Sequence, residues 1–271
     1  MILVMAFQLV WKKMKNNVLF TVTNPNLIEE LKGLGINKFV YPLSFFCVGV
    51  PRCFDIEQIT EDGAYLFVNR ILDCQAIDKL DEILHNLPSN IKGIIFDDLG
   101  LIEVLKDVNI EKILYYSHFN TNYMSINYFF EYVDEVIVST DITEQEIDEI
   151  IAKTNKKVSL FAFGLVPSLY SRRTLLTNHA KQFDLPVENQ KELYIEDKKF
   201  IAIENEFGMM MYHYPYYDAS RLLKKDVKYF FYYPILLSDE QVLNVAKNDF
   251  KGLLTDEGFL DTKTIYKVKK D

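Results

Sequence analysis

The sequence predicts an α/β fold, a (β/α)8 barrel of the TIM type with a β-hairpin inserted before the last unit. Short runs rich in Val, Ile, Phe and Tyr alternate with segments of helical periodicity along the chain. Alternation of this kind is typical of a parallel sheet covered by helices. About eight such units in 271 residues match the usual size of a barrel.

Eight segments combine β-branched and aromatic residues in the pattern that favours extended backbone. The predicted strands span residues 17–23, 38–43, 64–69, 93–98, 112–117, 135–140, 157–164 and 229–234. The segment 170–196 interrupts the alternation. Residues 199–213 then predict the inserted hairpin, with Phe207 and Gly208 near its turn.

Helical segments follow these strands, with apolar residues recurring every three or four positions. The first helical segment begins at Asn24-Pro25 and ends near Gly33. A short helix or turn is predicted at 57–63, and the remaining helices span residues 76–87, 99–107, 123–132, 143–154, 218–225 and 238–247. Thr143 and Glu146 have the spacing of a capping box, and Ser238 is a predicted N-cap.

A doubly wound open sheet is the alternative that the same alternation allows. That fold would place a glycine-rich phosphate-binding loop directly after the first strand. This chain has Asn24-Pro25-Asn26 at that point, so the barrel is the preferred prediction.

Composition limits the partners and the compartment. The formal net charge of -9 repels phosphate backbones, so we expect no nucleic-acid partner, although Arg172, Arg173, His179 and Lys181 form a local basic group. Three cysteines are too few for a disulfide framework in a chain of this size. We therefore expect reduced thiols and a cytoplasmic protein.

The N-terminal segment is apolar over residues 1–11 and is then followed by Lys12, Lys13 and Lys15. It is shorter than the roughly 20 residues that span a bilayer. A signal peptide would carry its positive charge ahead of the apolar run. We therefore predict an extension over residues 1–15, a single domain over residues 16–271 and no membrane association. The alternative is a short strand or helix that closes the bottom of the fold.

Polar residues recur at the C-terminal ends of the predicted strands, where barrel enzymes carry their reactive groups. They are Asn69, Asp97, Asp98, Ser117, His118, Thr140 and Asp141. Neighbouring strand residues point to opposite faces, so Asp97 and Asp98 cannot act together on one ligand. We predict that Asp98 faces the barrel mouth; the alternative for Asp98 is an N-cap of the helix that starts at Leu99.

Other chemical signatures are weak. The four histidines show no metal-binding spacing, so no metal is predicted. Ser117 or Ser171 with His118 and Asp98 could form a hydrolase triad, but no Gly-x-Ser-x-Gly motif supports it. The aromatic runs at 209–217 and 229–233 are typical of core strands rather than of a base-stacking surface.

The run from Gly164 to Thr174, which contains Tyr170-Ser171-Arg172-Arg173, resembles the signature region of peptidase family U32, the collagenase-like peptidases. Members usually read Tyr-Ser-x-x-Cys, and Thr174 stands at the Cys position. Further segments that resemble the family are Tyr41-Pro42-Leu43, Arg52, Phe67-Val68-Asn69, Asp97-Asp98-Leu99-Gly100, Asp141 in place of a usual Glu, and Glu204 to Gly208. Their order and spacing extend over about 230 residues.

The resemblance implies several activities. Family members include proteases, RNA-base hydroxylation proteins and anaerobic ubiquinone-hydroxylation proteins, and the hydroxylation types carry an iron–sulfur cluster on four cysteines. Cys47 stands at the spacing of one cluster ligand from Tyr41, but Thr174 replaces another and no Cys follows Cys74. Ser159 stands where many members have an acidic residue. We therefore expect no cluster and no cofactor.

Two functions follow from the resemblance. The first is a peptidase that hydrolyses peptides in the cytoplasm. Its expected catalytic residues are Asp98, Asp141 and His118, and its expected substrate-binding residues are Asn69, Tyr170 and Arg173. Asp98 or Asp141 would act as acid or base, and Arg173 would bind an anion. The second is a cluster-free, non-catalytic partner subunit or binding protein that works with a homologous subunit and binds a peptide or small molecule.

Overall fold

The structure, a computed structural model, describes residues 17–262. Its strands are β1 (Val18–Thr21), β2 (Lys38–Pro42), β3 (Ala64–Val68), β4 (Ile91–Phe96), β5 (Glu111–Leu114), β6 (Glu135–Val138), β7 (Ser159–Gly164), β8 (Pro167–Ser171), β9 (Gln190–Ile195), β10 (Lys198–Asn205), β11 (Gly208–His213), β12 (Tyr216–Asp218), β13 (Phe230–Tyr233) and β14 (Thr255–Asp256). The predicted extension over residues 1–15 lies outside the described residues.

The helices are α1 (Ile28–Gly33), α2 (Cys74–His85), α3 (Leu101–Val104), α4 (Tyr123–Phe129), α5 (Glu144–Lys153), α6 (Leu175–Gln182) and α7 (Asp239–Val245). Short 3-10 helices span Pro25–Leu27, Ile56–Gln58 and Ser220–Lys224. The predicted capping box of Thr143 and Glu146 is present, and Ser238 caps α7 as predicted. No helix of the described part is long and apolar enough to cross a membrane.

Strands β1 to β7 pair in parallel with their sequence neighbours, and β13 pairs in parallel with both β7 and β1. This closes a barrel of eight parallel strands with helices in the connections, which confirms the predicted fold. The two short strands β12 and β14 extend the sheet beside β7. The closed barrel rules out the open-sheet alternative.

The insertion between β7 and β13 is larger than the predicted hairpin. Strands β10 and β11 form that hairpin, and β8 and β9 extend it to a four-stranded antiparallel sheet in the order β8-β11-β10-β9, here called the insertion sheet. Helix α6 connects β8 to β9. Glu204, buried on β10, accepts hydrogen bonds from the backbone amides of Leu176 and Thr177 and so caps α6.

Aromatic side chains fill the barrel interior. Phe67, Tyr115, Phe161, Phe231 and Tyr233 contact one another with ring centroids 5.6–6.0 Å apart. Such pairs favour tilted and edge-to-face contacts over a stacked sandwich. The run at 229–233 therefore belongs to the core, as predicted.

Gly164 ends β7 where this strand passes beside β13. Its φ is +144°, and a Cβ placed there would lie 2.3 Å from the carbonyl oxygen of Tyr233. Only glycine combines this backbone conformation with so close an approach. The chain can therefore leave the barrel at this point and enter the insertion.

A charged network closes the N-terminal end of the barrel and is here called the basal network. Glu111 accepts hydrogen bonds from the hydroxyls of Tyr65 at 2.8 Å and Tyr229 at 3.0 Å, and its carboxylate lies 2.5 Å from the Lys228 ammonium. Lys228 also lies 3.5 Å from the carboxylate of buried Glu135. The network links the starts of β3, β5, β6 and β13.

Candidate active site

A cavity of about 300 Å³, here called the mouth cavity, lies at the C-terminal ends of the barrel strands beneath the insertion sheet. Its lining comes from barrel strand ends and from β8 and β11: Phe67, Asn69, Ile71, Asp97, Tyr115, Tyr116, Ser117, His118, Phe119, Pro167, Ser168, Leu169, Tyr170, Met210, Tyr212 and Tyr233. Reactive groups of barrel enzymes lie at this end of the fold. The mouth cavity is therefore the candidate active site.

Asp97 is the acidic residue of the mouth cavity. Its Oδ1 atom is buried and accepts no hydrogen bond from the described residues. Burial, reinforced by the charge of neighbouring Asp98, raises the pKa of the Asp97 carboxyl to about 7. A carboxyl with this pKa exchanges a proton readily at neutral pH.

The orientation of Asp97 follows from the parity of β4. A Cβ on Gly93 would lie 2.6 Å from the ring of Tyr65, whose hydroxyl reaches the basal network inside the barrel. Odd-numbered positions of β4 therefore face the interior, and Asp97 continues this side. Asp98 points the other way, and its carboxylate accepts hydrogen bonds from the amides of Leu72 and Gly100, both at 2.9 Å.

The backbone contacts give Asp98 a positioning role, because they tie the loop after β3 to the end of β4. The sequence predicted that Asp98 faces the barrel mouth, but the structure places Asp97 in the cavity lining instead. The alternative role, an N-cap of a helix that starts at Leu99, holds only in part: α3 starts at Leu101, but the Asp98 carboxylate accepts a hydrogen bond from the amide of Gly100 directly before it.

His118 and Asp141 form the second reactive group at the barrel mouth. His118 Nδ1 lies 2.7 Å from Asp141 Oδ2, a hydrogen bond between the end of β5 and the end of β6. This hydrogen bond raises the pKa of His118 above its usual value, although partial burial opposes the shift. The sequence placed both residues at strand ends, and the structure brings them together.

Tyrosine hydroxyls surround the acidic group. The hydroxyls of Tyr115 and Tyr170 are buried and make no hydrogen bond of normal geometry with the described residues. Tyr212 donates to the carbonyl of Gly49 at 2.8 Å and lies 3.3 Å from the hydroxyl of Tyr233. Burial raises the pKa of Tyr115, so its hydroxyl stays neutral and available as a hydrogen-bond donor.

The three predicted substrate-binding residues occupy different positions. Asn69 and Tyr170 line the mouth cavity. The side-chain amide of Asn69 is also bonded to both backbone polar groups of Val48, so it fixes the cavity wall. Arg173 is exposed on the insertion beside α6 and is not part of the cavity lining.

An aromatic clamp joins the insertion to the barrel beside the cavity. Buried Arg70 stacks between the rings of Phe45 and Phe207, with its guanidinium 4.9 Å and 4.1 Å from the ring centroids. Asn205 in the insertion donates to the carbonyl of Cys47 at 2.9 Å. These contacts hold the cavity roof in a fixed position.

The donor set of the described residues does not fit an iron–sulfur cluster, which needs four thiolates or equivalents. The Cys47 thiol is buried and donates to the carbonyl of Phe67 at 3.0 Å, and burial raises its pKa. Cys53 is half-buried, whereas Cys74 is exposed at the start of α2. No group of three or more His, Cys, Asp or Glu side chains within residues 17–262 could hold a metal ion.

No sequence pattern identified Asp97, Tyr115, Tyr212 or Tyr233 as site residues. Asp97 could have been chosen only if the inward parity of β4 had been known. The sequence signal for this inward orientation was Gly93. A glycine within a strand indicates that a large neighbouring side chain packs closely against it on the same face.

Comparisons with known proteins identify a family match and a similar solved structure. The family model of peptidase family U32 matches residues 50–185, half of the chain, a segment that contains Asp97, His118 and Asp141. Among solved structures, the U32 peptidase Mk0906 is similar with 12% identity and a TM-score of 0.44, over 64% of this chain and 80% of that one. No curated protein matches the sequence. On the family match, the chain belongs to peptidase family U32.

Proposed function

We propose that this chain is a peptidase that hydrolyses peptide bonds in the mouth cavity, with Asp97 as the general base. The observation that carries the proposal is an unpaired carboxyl oxygen beside the cavity, on a group with a pKa of about 7. Perturbed carboxyls in clefts are typical of acid–base sites. Membership of a peptidase family supports the same reaction class.

In the proposed reaction, ionised Asp97 takes a proton from a water molecule as its oxygen attacks the scissile carbonyl carbon. The carbonyl π electrons move to oxygen and give a tetrahedral oxyanion. Protonated His118 then gives a proton to the leaving amine as the C–N bond breaks. Hydroxyl donors such as Tyr115 are suited to stabilise the oxyanion. The carboxylic acid and the amine are the products.

The other expected site residues keep supporting roles in this proposal. Asp141 orients His118 and favours its protonated form through the 2.7 Å hydrogen bond. Tyr170 contacts substrate, Asn69 fixes the wall behind it, and Asp98 positions the end of β4. Arg173, exposed beside the insertion, would bind an anionic group of an approaching peptide.

We place this activity in the cytoplasm, where the free cysteines of the chain would stay reduced. The proposed ligand is a peptide, and the formal net charge of -9 disfavours nucleic acid.

The test compares Asp97→Asn with Asp98→Asn as a matched control, using a mixed peptide library and mass spectrometry. Each variant removes one carboxyl from the same strand end. We expect at least a hundredfold loss of hydrolysis in Asp97→Asn, on the scale of removing a general base, and a much smaller loss in Asp98→Asn.

Equal activity in the two variants would contradict the role of Asp97. Absence of cleavage by the wild-type protein would contradict the peptidase proposal. It would favour the non-catalytic partner subunit. Co-purification with a homologue that retains the cluster cysteines would then support that function directly.

A further inference from the structure

A second opening, here called the side cleft, lies next to the mouth cavity and has a volume of about 550 Å³. It separates the insertion from the barrel. The insertion wall carries Lys198, His213 and Tyr214. The opposite wall carries Asp141 after β6, Asp256 on β14 and Phe259 in the segment after β14. Asp141 also orients His118 in the proposed reaction, whereas the cleft itself has no role described above.

The wall between the two openings is one residue thick at β11. Tyr212 lines the mouth cavity, whereas the next residue, His213, lines the side cleft. The hydrogen-bonded pair crosses the same wall, because His118 lines the cavity and Asp141 lines the cleft. A ligand that extends from one opening into the other would therefore pass beside this pair.

The chemistry of the side cleft is mixed. Each wall has an aromatic side chain, Tyr214 on the insertion and Phe259 on the opposite wall, and 47% of the Phe259 surface is exposed. Charged groups of both signs, Lys198 and Asp256, stand in the same lining. A surface that is neither wholly apolar nor of one charge is suited to a peptide main chain with a large apolar side chain.

The volumes point to the same class of ligand. Pockets for drug-sized ligands occupy about 300–1,000 Å³, so the mouth cavity alone is at the lower limit. The side cleft adds a larger volume directly beside it. A substrate of several residues would use both.

We propose that the side cleft binds the part of an oligopeptide that extends past the reacting bond and holds a large apolar side chain between Tyr214 and Phe259. This inference rests on the proposed peptidase function and adds its substrate class, an extended peptide rather than a dipeptide. Burial of one large apolar side chain accounts for about a tenfold gain in affinity.

The test uses a random hexapeptide library passed over immobilised Asp97→Asn protein, followed by sequencing of the retained peptides by mass spectrometry. We expect enrichment of large apolar residues at one fixed position. Adding Phe259→Ala should reduce that enrichment about tenfold, because it removes one wall of the apolar site. Adding Tyr194→Ala instead should leave the enrichment intact, since Tyr194 is exposed on β9 and lines neither opening.

Absence of positional enrichment, or enrichment that survives Phe259→Ala, would overturn the inference. Kinetics of the wild-type protein distinguish failure of the side-cleft inference from failure of the proposed peptidase function. Hydrolysis of hexapeptides and dipeptides at equal kcat/KM would keep the peptidase and remove the side cleft from its mechanism. Enrichment that depends on Phe259, without hydrolysis of any peptide, would keep the cleft as a peptide site and contradict the peptidase.

Discussion

At the N-terminal end of the barrel, the carboxylate of Glu111 has three partners, the hydroxyls of Tyr65 and Tyr229 and the ammonium of Lys228. At the C-terminal end, the Oδ1 atom of Asp97 has no partner among the described residues. Both carboxylates point into the same barrel. An unpaired buried polar group destabilises a fold, and the one on Asp97 stands beside a cavity where a ligand could supply the partner.

The pKa by itself does not distinguish the two ends. Burial raises the pKa of Glu135 in the basal network to about 7, as it does for Asp97. Lys228 lies within 3.5 Å of Glu135, and Glu135 borders neither the mouth cavity nor the side cleft. Glu135 Oε2 also lacks a hydrogen bond within the described residues, so the feature that distinguishes Asp97 is the open cavity beside its carboxyl.

The largest expected effect is on the basal network. Glu111→Ala would leave the Lys228 ammonium and two tyrosine hydroxyls without their acceptor, and we expect the free energy of unfolding to fall by about 3 kcal/mol. Urea denaturation at pH 7 measures this change. A loss below about 1 kcal/mol would mean that the N-terminal end is not held by this network.

Asp97→Asn should change the free energy of unfolding in the opposite direction, toward greater stability at alkaline pH. The folded-state pKa of Asp97 is raised from 3.8 to about 7, so its stabilising contribution is present below pH 4 and is lost as the pH rises to 7. At pH 8 the variant should therefore be more stable than the wild type by about 1–2 kcal/mol. This gain is smaller than the full pKa shift implies, because part of the Asp97 residue is exposed to solvent although its Oδ1 atom is buried. Urea denaturation at pH 8 and pH 4 measures the difference.

The control for that measurement is Asp98→Asn. It weakens hydrogen bonds to the amides of Leu72 and Gly100, so it should lower stability at pH 8. A loss of stability in Asp97→Asn as large as that in Asp98→Asn would remove the contrast between the two carboxyls.

A smaller effect is expected for Tyr115→Phe. The hydroxyl that it removes is buried and unpaired among the described residues, so the free energy of unfolding should stay the same or rise by up to about 1 kcal/mol. Hydrolysis should fall about tenfold if this hydroxyl stabilises the oxyanion. The matched variant Tyr229→Phe in the basal network should do the reverse, with lower stability and little change in kcat/KM.

The smallest expected effect is a shift of the pH profile. Activity needs ionised Asp97 and protonated His118, so kcat/KM should fall at low pH as Asp97 gains a proton and at high pH as His118, whose pKa Asp141 raises, loses one. Asp141→Asn removes the carboxylate charge that helps raise the His118 pKa, so the alkaline limb should move to lower pH. An unchanged alkaline limb would show that His118 is not the acid.

Much of the fold could be predicted from the sequence, because local patterns determine it. The eight barrel strands lie within a few residues of their predicted positions, and Thr143 and Ser238 cap helices as expected. The insertion sheet was predicted only in part. Pairing of β8 with β11 joins Tyr170 to Met210, and no local pattern specifies partners so far apart in the chain.

The site was harder to predict for a geometric reason. Strand ends identified His118 and Asp141, whose side chains do meet. Successive strand residues point to opposite faces of the sheet, so the side chains of Asp97 and Asp98 must point in opposite directions. This rule does not show which of the two faces inward. The tyrosines were missed because aromatic residues in strands are usually core, and here the same rings also line a cavity.

The most direct test of the central claim is a ¹³C NMR titration of the Asp97 side-chain carboxyl, assigned by its absence in Asp97→Asn. We predict a midpoint near pH 7, coincident with the acidic limb of kcat/KM for peptide hydrolysis. A midpoint near pH 4, the usual value for an exposed aspartate, would contradict the assignment of Asp97 as the general base.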